Sequence, residues 1–559
     1  MDSPHFRFWP RFLERSLTLP ETSLWFNVEV SAARFPHKPA LIFYDSPITY
    51  ADFKRSAESL AGFLQRECNV RRGDRVALFL HNSPQFTIAY YAILRAQAVV
   101  VPVNPMLLES ELGQIVADSG AEVAVAAQDL FPRAAPLLGR GLRHAIVACY
   151  SDYLGTPTDL EVPDSISAPR QHLTGAGVTL WSDVLSRGMS PQPFAGSPDD
   201  LCVIPYTSGT TGQPKGCVHR HRSVMHTAIS IAQWYSAHHD DRALGALPFF
   251  HVTGMQNCVN LPVYLGSTVI IMSRWNRDLA AKLIPRHRVT RWAAAPAMVI
   301  DLLSSPAAEQ YDLSSLKSIG GGGTAMPEAI AAKLEHRFNI TYVEGYGLSE
   351  TMAPSHINPE HRPKPQCLGI PIFDTDSRIV DPETLQELQI GFAGEIVTSG
   401  PQVFEGYWNN PQATAEAFMT LDRGAQAGKR FLRTGDLGRV DEDGYFFFVD
   451  RIKRMINAAG FKVWPAEVES LLYGHPSVQD AVVISKKDSR RGESVKAVVV
   501  LKPAARGQQT PEQLIEWARE RMAAYKVPRI VEFVDSVPKS LSGKVLWRAL
   551  QEQEDAGGS

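Results

Sequence analysis

Tyr206-Thr-Ser-Gly-Thr-Thr-Gly-Gln-Pro-Lys-Gly216 is a run that no packed core requires. Between Thr207 and Gly216 there is no bulky apolar side chain. Glycines at 209, 212 and 216 let the backbone take positive φ and approach a ligand closely. The hydroxyls of Thr207, Ser208, Thr210 and Thr211, with free N–H groups, can surround an anion, and Lys215 adds a point charge. The guest this chemistry suits is a polyphosphate. The Walker spacing fails, because Gly209 is followed by Gly212 and then Pro214-Lys215. A flexible linker with an incidental lysine is the plainer alternative. The threonine density beside the apolar lead-in Leu201 to Tyr206 opposes it.

Outward from this loop, short β-rich runs alternate with helical patterns. Val76 to Leu80, Ala98 to Val103, Val123 to Ala127, Ala145 to Cys149, Thr268 to Met272 and Arg291 to Ala295 read as strands. Ser83 to Ala96 and Glu109 to Asp118 read as helices, the first capped by Ser83 with Pro84 at its first position. Continuous apolar strands separated by helices imply sheets covered on both faces. Residues 150 to 200, rich in Pro, Ser, Gly and Asp, read as an irregular surface excursion. The pattern changes near 450. Tyr445 to Val449 reads as a strand, followed by a helix from Pro465 to Tyr473, strands at Ala481 to Ile484 and Lys496 to Leu501, a helix from Pro511 to Met522 and a strand at Ile530 to Val534. The expected fold is α/β: a large N-terminal domain of mixed sheets layered with helices over 1–452, and a small α+β C-terminal lid over 453–559. Glu554 to Ser559 reads as disordered, and the first nineteen residues as an N-terminal packing helix.

The chain has 559 residues, enough for two or more domains. A 44% apolar and 21% charged composition is that of an ordinary globular protein, and a net charge of −3 argues against a general nucleic-acid binder. No apolar run approaches the roughly 18 residues of a membrane span, and no secretion signal is evident, so a cytoplasmic location is expected. Six scattered cysteines lack C-x-x-C spacing, which points to neither a disulfide framework nor a zinc site.

Five further segments carry chemistry. Ser318-Ile-Gly-Gly-Gly-Gly-Thr-Ala-Met-Pro327 follows a strand at Leu316 to Ile319 and precedes a helix opened by Pro327; its bare backbone suits a flat ring or acyl group. In Tyr342-Val-Glu-Gly-Tyr-Gly-Leu-Ser-Glu-Thr-Met352, Tyr346 could stack on a purine, Ser349 could cap a helix, and Glu350 in its first turn could hold Mg²⁺, though such a Glu alone more often complements the helix dipole. Leu247-Pro-Phe-Phe-His-Val-Thr-Gly254 suggests an apolar wall with His251 at a substrate channel. Arg433-Thr-Gly-Asp-Leu-Gly438 offers Asp436, between tight-turn residues, to a ribose diol, and Asp443-Gly444 marks a hairpin turn. Pro538-Lys-Ser-Leu-Ser-Gly-Lys544 presents Lys544 in a short polar turn.

Together these six segments, in this order from Ile48-Thr-Tyr-Ala51 to Lys544, resemble the adenylate-forming superfamily of acyl-CoA synthetases, peptide-synthetase adenylation domains and beetle luciferases. The resemblance implies that Thr207, Ser208, Gly209, Thr210, Thr211, Gly212 and Lys215 embrace the β- and γ-phosphates of ATP. It implies that Glu350 with Thr207 holds Mg²⁺, and that Gly321, Gly322, Thr324, Tyr346, Gly347 and Thr351 line the nucleotide. Asp436, with Arg451 nearby, would bind the ribose. His251, Gly254 and Gly345 would meet the acyl substrate. Lys544 would bridge the carboxylate and the α-phosphate, Lys453 would be the hinge of the lid, and Gly460 would line the CoA tunnel. Lys544, Lys215 and Glu350 are thus the expected catalytic residues. Three departures stand out: Gln97 where glycine is common, Ser349 where threonine is frequent, and Asn457 where luciferases carry a lysine, which weakens a light-emitting role.

The implied function is an ATP-dependent ligation of a small-molecule carboxylic acid to CoA through an acyl-adenylate, releasing pyrophosphate and AMP. No basic residue is placed to meet a second carboxylate, which favours a medium- or long-chain fatty acid. Aromatic acids are the main alternative, and transfer to a separate carrier protein another. The oligomeric state is not set by the sequence; a homodimer is one option.

Overall fold

The computed structural model describes residues 3–207, 214–305, 310–421, 428–458, 461–488, 492–539 and 545–557. The chain divides into two compact units: a large one of His5–Asp376 with Thr398–Leu432, and a small one of Met1–Pro4, Ser377–Val397 and Arg433–Ser559.

The large unit is built on two sheets. In the first the order is His219–Arg220, Leu201–Val203, Val99–Pro102, Arg75–Phe79, Val123–Ala127, His144–Ala148 and Val178–Leu180, parallel except at the His219 edge. In the second, parallel strands Tyr342–Tyr346, Ser318–Gly322, Arg291–Ala293, Arg242–Gly245, Thr268–Ile271 and Pro39–Phe43 are flanked by antiparallel edges. These strands are Val-, Ile- and Ala-rich runs because both faces are covered. Helix Pro84–Arg95 is buried along its whole length. Its Ser83 cap accepts from the Phe86 N–H at 3.2 Å, as the sequence suggests. Its Phe86 ring packs on Phe249 and its Tyr91 ring on Phe53.

Several expectations are corrected. The 150–200 stretch is not wholly irregular: Val178–Leu180 is an edge strand, and the helix Trp181–Ser186 buries Trp181 and Val184. The N-terminal segment forms only a short 3₁₀ turn, Pro4–Arg7, in place of a longer helix. Trp9 anchors it, edge-on to Trp234 and Phe373. The glycine run belongs to the strand Ser318–Gly322 itself, and Pro327 is the N-cap of Glu328–Phe338 rather than its first residue.

In the small unit a five-stranded sheet has the order Phe461–Val463, Ile456–Ala458, Gly492–Leu501, Val478–Asp488, with Ile530–Phe533 parallel to Gly492–Leu501. Its hairpin is far longer than its apolar stretches suggest, because the ladder continues through Lys486↔Ser494 and Lys487↔Glu493. Helix Trp547–Gly557 covers part of the tail expected to be disordered. Glu554 holds it down by pairing with Lys486 and Lys496. Strand Arg430–Val440 begins in the large unit, pairing with Phe418–Thr420, and continues into the small one, pairing with Phe446–Arg451. Asp436 therefore lies within a strand, not in a tight turn.

Candidate active site

The phosphate-type loop is closed at its foot by a two-residue ladder, Thr207↔Lys215 and Tyr206↔Gly216. Ser208, Gly209, Thr210, Thr211 and Gly212 lie outside the described residues. The Lys215 ammonium sits 5.0 Å from the centre of the Tyr407 ring. The Tyr407 hydroxyl in turn donates to Glu350 Oε1 at 2.7 Å. The two charged groups singled out in sequence are thus joined through a tyrosine that was not. Backbone bonds fix this junction. Cys217 bridges to Tyr407, the Trp408 N–H donates to Gly216 O at 2.8 Å, and the Phe404 N–H donates to Glu350 O at 2.8 Å. Burial first, and then the Glu350 charge, push the fully buried Cys217 thiol and the Tyr407 phenol upward, so both stay protonated at neutral pH.

Glu350 sits in a single 3₁₀ turn, Ser349–Thr351. Ser349 is not the cap, contrary to expectation. Leu348 takes that position, and its N–H donates to Thr351 Oγ1 at 2.8 Å. Thr351 is fully buried, and its hydroxyl also donates to the Leu348 and Ala353 carbonyls. His219 holds the turn from below: its Nε2 lies 2.7 Å from Ser349 O. Only a protonated Nε2 can donate to a carbonyl, so the tautomer is fixed. Burial pushes His219 down to about 4, which keeps the ring neutral.

Among the described residues no group of three or more His, Cys, Asp or Glu side chains could enclose a metal. One carboxylate, Glu350, and one hydroxyl, Thr207, are hard oxygen donors. That sparse set fits Mg²⁺, which keeps waters and takes its other ligands from substrate phosphates.

On the second sheet, Gly321 and Gly322 stand where strands nearly touch. A Cβ at 321 would lie 2.1 Å from Ala294 O, and one at 322 would lie 2.1 Å from Gly345 O. Glycine is required there for strand approach, and the same bareness leaves a flat backbone surface beside Gly345 and Tyr346. Tyr346 is half-buried, its ring 5.6 Å from that of His356, while Thr324 and Gly347 are exposed. Behind this surface, the buried Glu344 carboxylate accepts the Met326 N–H at 2.7 Å and so ties down the end of the glycine run. Burial pushes Glu344 up to about 7.

His251 is exposed and caps the short helix Val252–Gly254, accepting from the Thr253 N–H. A six-residue π-helix, Met255–Asn260, follows, a distortion that often accompanies functional sites. Gly254 is buried with Pro248 O where a Cβ would be, so its glycine serves a close backbone crossing. Asn82 braces this segment: its amide donates to Leu247 O at 2.9 Å, and its Oδ1 accepts from the Phe249 N–H at 2.8 Å. On Arg291–Ala293, the Trp292 ring stacks on Trp275 at 5.4 Å.

In the small unit, Asp436 is 2% exposed and pairs with Arg451 Nε at 3.0 Å across adjacent strands. Glu395 supports this corner by accepting two bonds from Arg433 and one from the Gly435 N–H. Lys453 lies in the turn Ile452–Arg454. Beside it, Arg454 pairs with Glu469 and donates to Val483 O at 3.2 Å. The Asn457 N–H donates to Glu493 at 2.6 Å. Gly460 and Lys544 lie outside the described residues.

A family profile described as AMP-binding enzyme matches residues 28–408, and its C-terminal domain profile matches residues 467–544. The chain belongs to the AMP-binding enzyme family. A long-chain-fatty-acid–CoA ligase of Bacillus subtilis is 36% identical over 98% of this chain and 97% of its own length. A feruloyl-CoA synthase of an Amycolatopsis species is 35% identical over 91% of this chain and 95% of its own. The crystal structure of ATP-bound MatB from Rhodopseudomonas palustris superposes with a TM-score of 0.84 at 25% identity, covering 97% of this chain and all of that one. The resemblance read from the six segments therefore stands: this AMP-binding enzyme is an acyl-CoA synthetase of the adenylate-forming superfamily, using ATP and CoA. Among the described residues no helix is long and apolar enough to cross a membrane.

Proposed function

We propose that this acyl-CoA synthetase takes a medium- or long-chain fatty acid as its carboxylate substrate. Similarity to the Bacillus fatty-acid ligase over almost the full length of both chains carries that assignment. Apolar side chains along the segments expected to flank the acyl group, Val252, Met255, Trp292 and Ala294, all buried, are consistent with it. An aromatic acid is the second candidate, supported by the feruloyl relative and by the stacked indoles of Trp275 and Trp292.

In the proposed mechanism a carboxylate oxygen attacks the α-phosphorus of ATP and the bond to pyrophosphate breaks. Two anions meet in this step, so charge neutralisation and alignment supply most of the catalysis. Lys215 and Lys544 contribute positive charge, and Glu350 with Thr207 would hold Mg²⁺, which neutralises phosphate charge when bound. Asp436 orients the ribose, and the bare backbone at Gly321 and Gly322 receives the base beside Tyr346. The CoA thiol then releases its proton to solvent as its sulfur attacks the acyl carbon, and AMP leaves with the electron pair of the broken C–O bond. Lys544 serves the first step from a lid that turns about Lys453, and withdraws for the second.

A panel of saturated C8 to C18 acids, benzoate, ferulate and 4-coumarate tests the assignment in ATP–pyrophosphate exchange and in CoA-dependent AMP release. Highest kcat/KM among the fatty acids is expected. A clear preference for an aromatic acid would replace the first assignment by the second, and exchange without CoA-dependent AMP release would favour a carrier-protein acceptor.

A further inference from the structure

We propose that Tyr407 is a positioning residue of the phosphate site, holding the Glu350 carboxylate through its hydroxyl and the Lys215 ammonium over its ring face. This rests on the assignment of Glu350 to Mg²⁺ and of Lys215 to the ATP phosphates. Three observations converge on it. The hydroxyl reaches Glu350 Oε1 at 2.7 Å, with the geometry of a charge-assisted hydrogen bond. The ring lies 5.0 Å from Lys215 Nζ, within the range of a cation–π contact. The residue itself is clamped. Its backbone bridges to Cys217, its N–H donates to Thr414 Oγ1 at 2.9 Å, and its ring meets Phe404 edge-on at 4.9 Å.

The physical consequence is division of labour. A glutamate side chain has three rotatable bonds and two equivalent oxygens. A donor fixed on Oε1 selects one orientation of the carboxylate that would meet a hard cation. Outer partners of metal-binding carboxylates commonly change metal affinity by about 10- to 100-fold when removed. The ring face, meanwhile, keeps the long Lys215 side chain extended near the loop it serves. Fewer rotamers then remain to be frozen when phosphate arrives. Cys217, next but one after Lys215, shares the same backbone junction, so loop and carboxylate are held in common.

The test is equilibrium binding, independent of turnover. Isothermal titration calorimetry measures ATP affinity of the full chain with Mg²⁺ and with EDTA, for the wild type, Tyr407→Phe, Tyr407→Leu and Glu350→Gln. Thermal unfolding midpoints identify variants that keep the fold. Tyr407→Phe keeps the ring and loses the donor; the Mg²⁺-dependent gain in affinity is expected to shrink about tenfold, equivalent to about 1.4 kcal/mol. Affinity in EDTA should match the wild type. Tyr407→Leu removes the ring as well, and its affinity in EDTA should fall a further two- to fivefold, as expected for a lost cation–π contact. An unchanged or enlarged Mg²⁺-dependent gain in Tyr407→Phe would overturn the hydroxyl's role. Equal EDTA affinities for the Phe and Leu variants would overturn that of the ring. Glu350→Gln keeps the two levels apart. If it abolishes the gain while Tyr407→Phe does not, only the tyrosine's role fails. If Glu350→Gln leaves the gain intact, the metal assignment itself fails.

Discussion

Replacing Glu344 by glutamine isolates the cost of a buried charge behind the glycine-rich strand. The side chain is 7% exposed, and Oε1 accepts the Met326 N–H at 2.7 Å. Glutamine preserves that acceptor and removes the ionisation, while its NH₂ replaces the oxygen that accepts from the Cys367 N–H, a cost that does not change with pH. The carboxyl titrates near 7 in the folded chain against 4.5 in the unfolded one, with burial as the main cause. Below pH 4.5 both states are protonated, and the folded chain carries no penalty. Between 4.5 and 7 the unfolded chain loses its proton first, so the contribution to stability falls as pH rises. Above 7 the loss is complete. At about 1.4 kcal/mol for each pH unit separating the two values, the full cost is about 3 kcal/mol. Glu344→Gln should therefore gain about 2–3 kcal/mol on the wild type between pH 5 and pH 8.5. Urea unfolding followed by tryptophan fluorescence at both pH values reads the difference directly. A stability gap between the two proteins that is the same at pH 5 and pH 8.5 would refute the reasoning, since any cost of burying the amide is independent of pH.

Three other outcomes are expected. Gln97 has φ of +62°; Gln97→Gly should stabilise by up to about 1 kcal/mol by relieving left-handed strain, and a lowered thermal midpoint would count against it. Burial lowers His81, His219 and His221 to about 4 and His356 to about 3. Below 6.5 the unfolded chain takes up protons that these rings refuse, so stability should drop by up to about 5 kcal/mol per pH unit near pH 5 if all four contribute; urea midpoints equal at pH 6.5 and 5 would contradict this. Lys544→Ala should abolish acid-dependent ATP–pyrophosphate exchange yet spare thioester formation from a supplied acyl-adenylate, and equal loss of both half-reactions would exclude its selective role.

Much of this was legible because it is local. The alternation of apolar runs and helices is set by residues close in sequence, so Val123–Ala127 and Pro465–Tyr473 fall where periodicity puts them. The hydroxyl-rich loop stands out by a composition that a core has no use for, whereas Glu350 alone reads as a helix-dipole partner and takes its role, like Asp436, from the resemblance. What escaped depends on contacts between distant segments. Tyr407 meets a carboxylate 57 positions away, and in Phe404-Glu-Gly-Tyr-Trp408 it reads as one aromatic among several. His219 was not singled out, and its bond to Ser349 spans 130 positions. The misread cap at Ser349 is a local effect instead: Thr351 Oγ1 accepts from the Leu348 N–H three positions back, and Leu348 takes the cap position. The long hairpin Val478–Asp488 with Gly492–Leu501 outruns its apolar residues because each strand finds its ladder in the other.

We propose that a carboxylic acid is activated at the phosphate site built around Lys215 and Glu350. Acid-dependent exchange of labelled pyrophosphate into ATP, compared between the wild type and Glu350→Gln over a range of Mg²⁺ concentrations, tests it most directly. Robust exchange is expected in the wild type with a fatty acid, and a fall of at least about 100-fold in the variant, in keeping with the loss of a main electrostatic contributor. Undiminished exchange in Glu350→Gln, or no exchange in the wild type with any carboxylic acid, would contradict it.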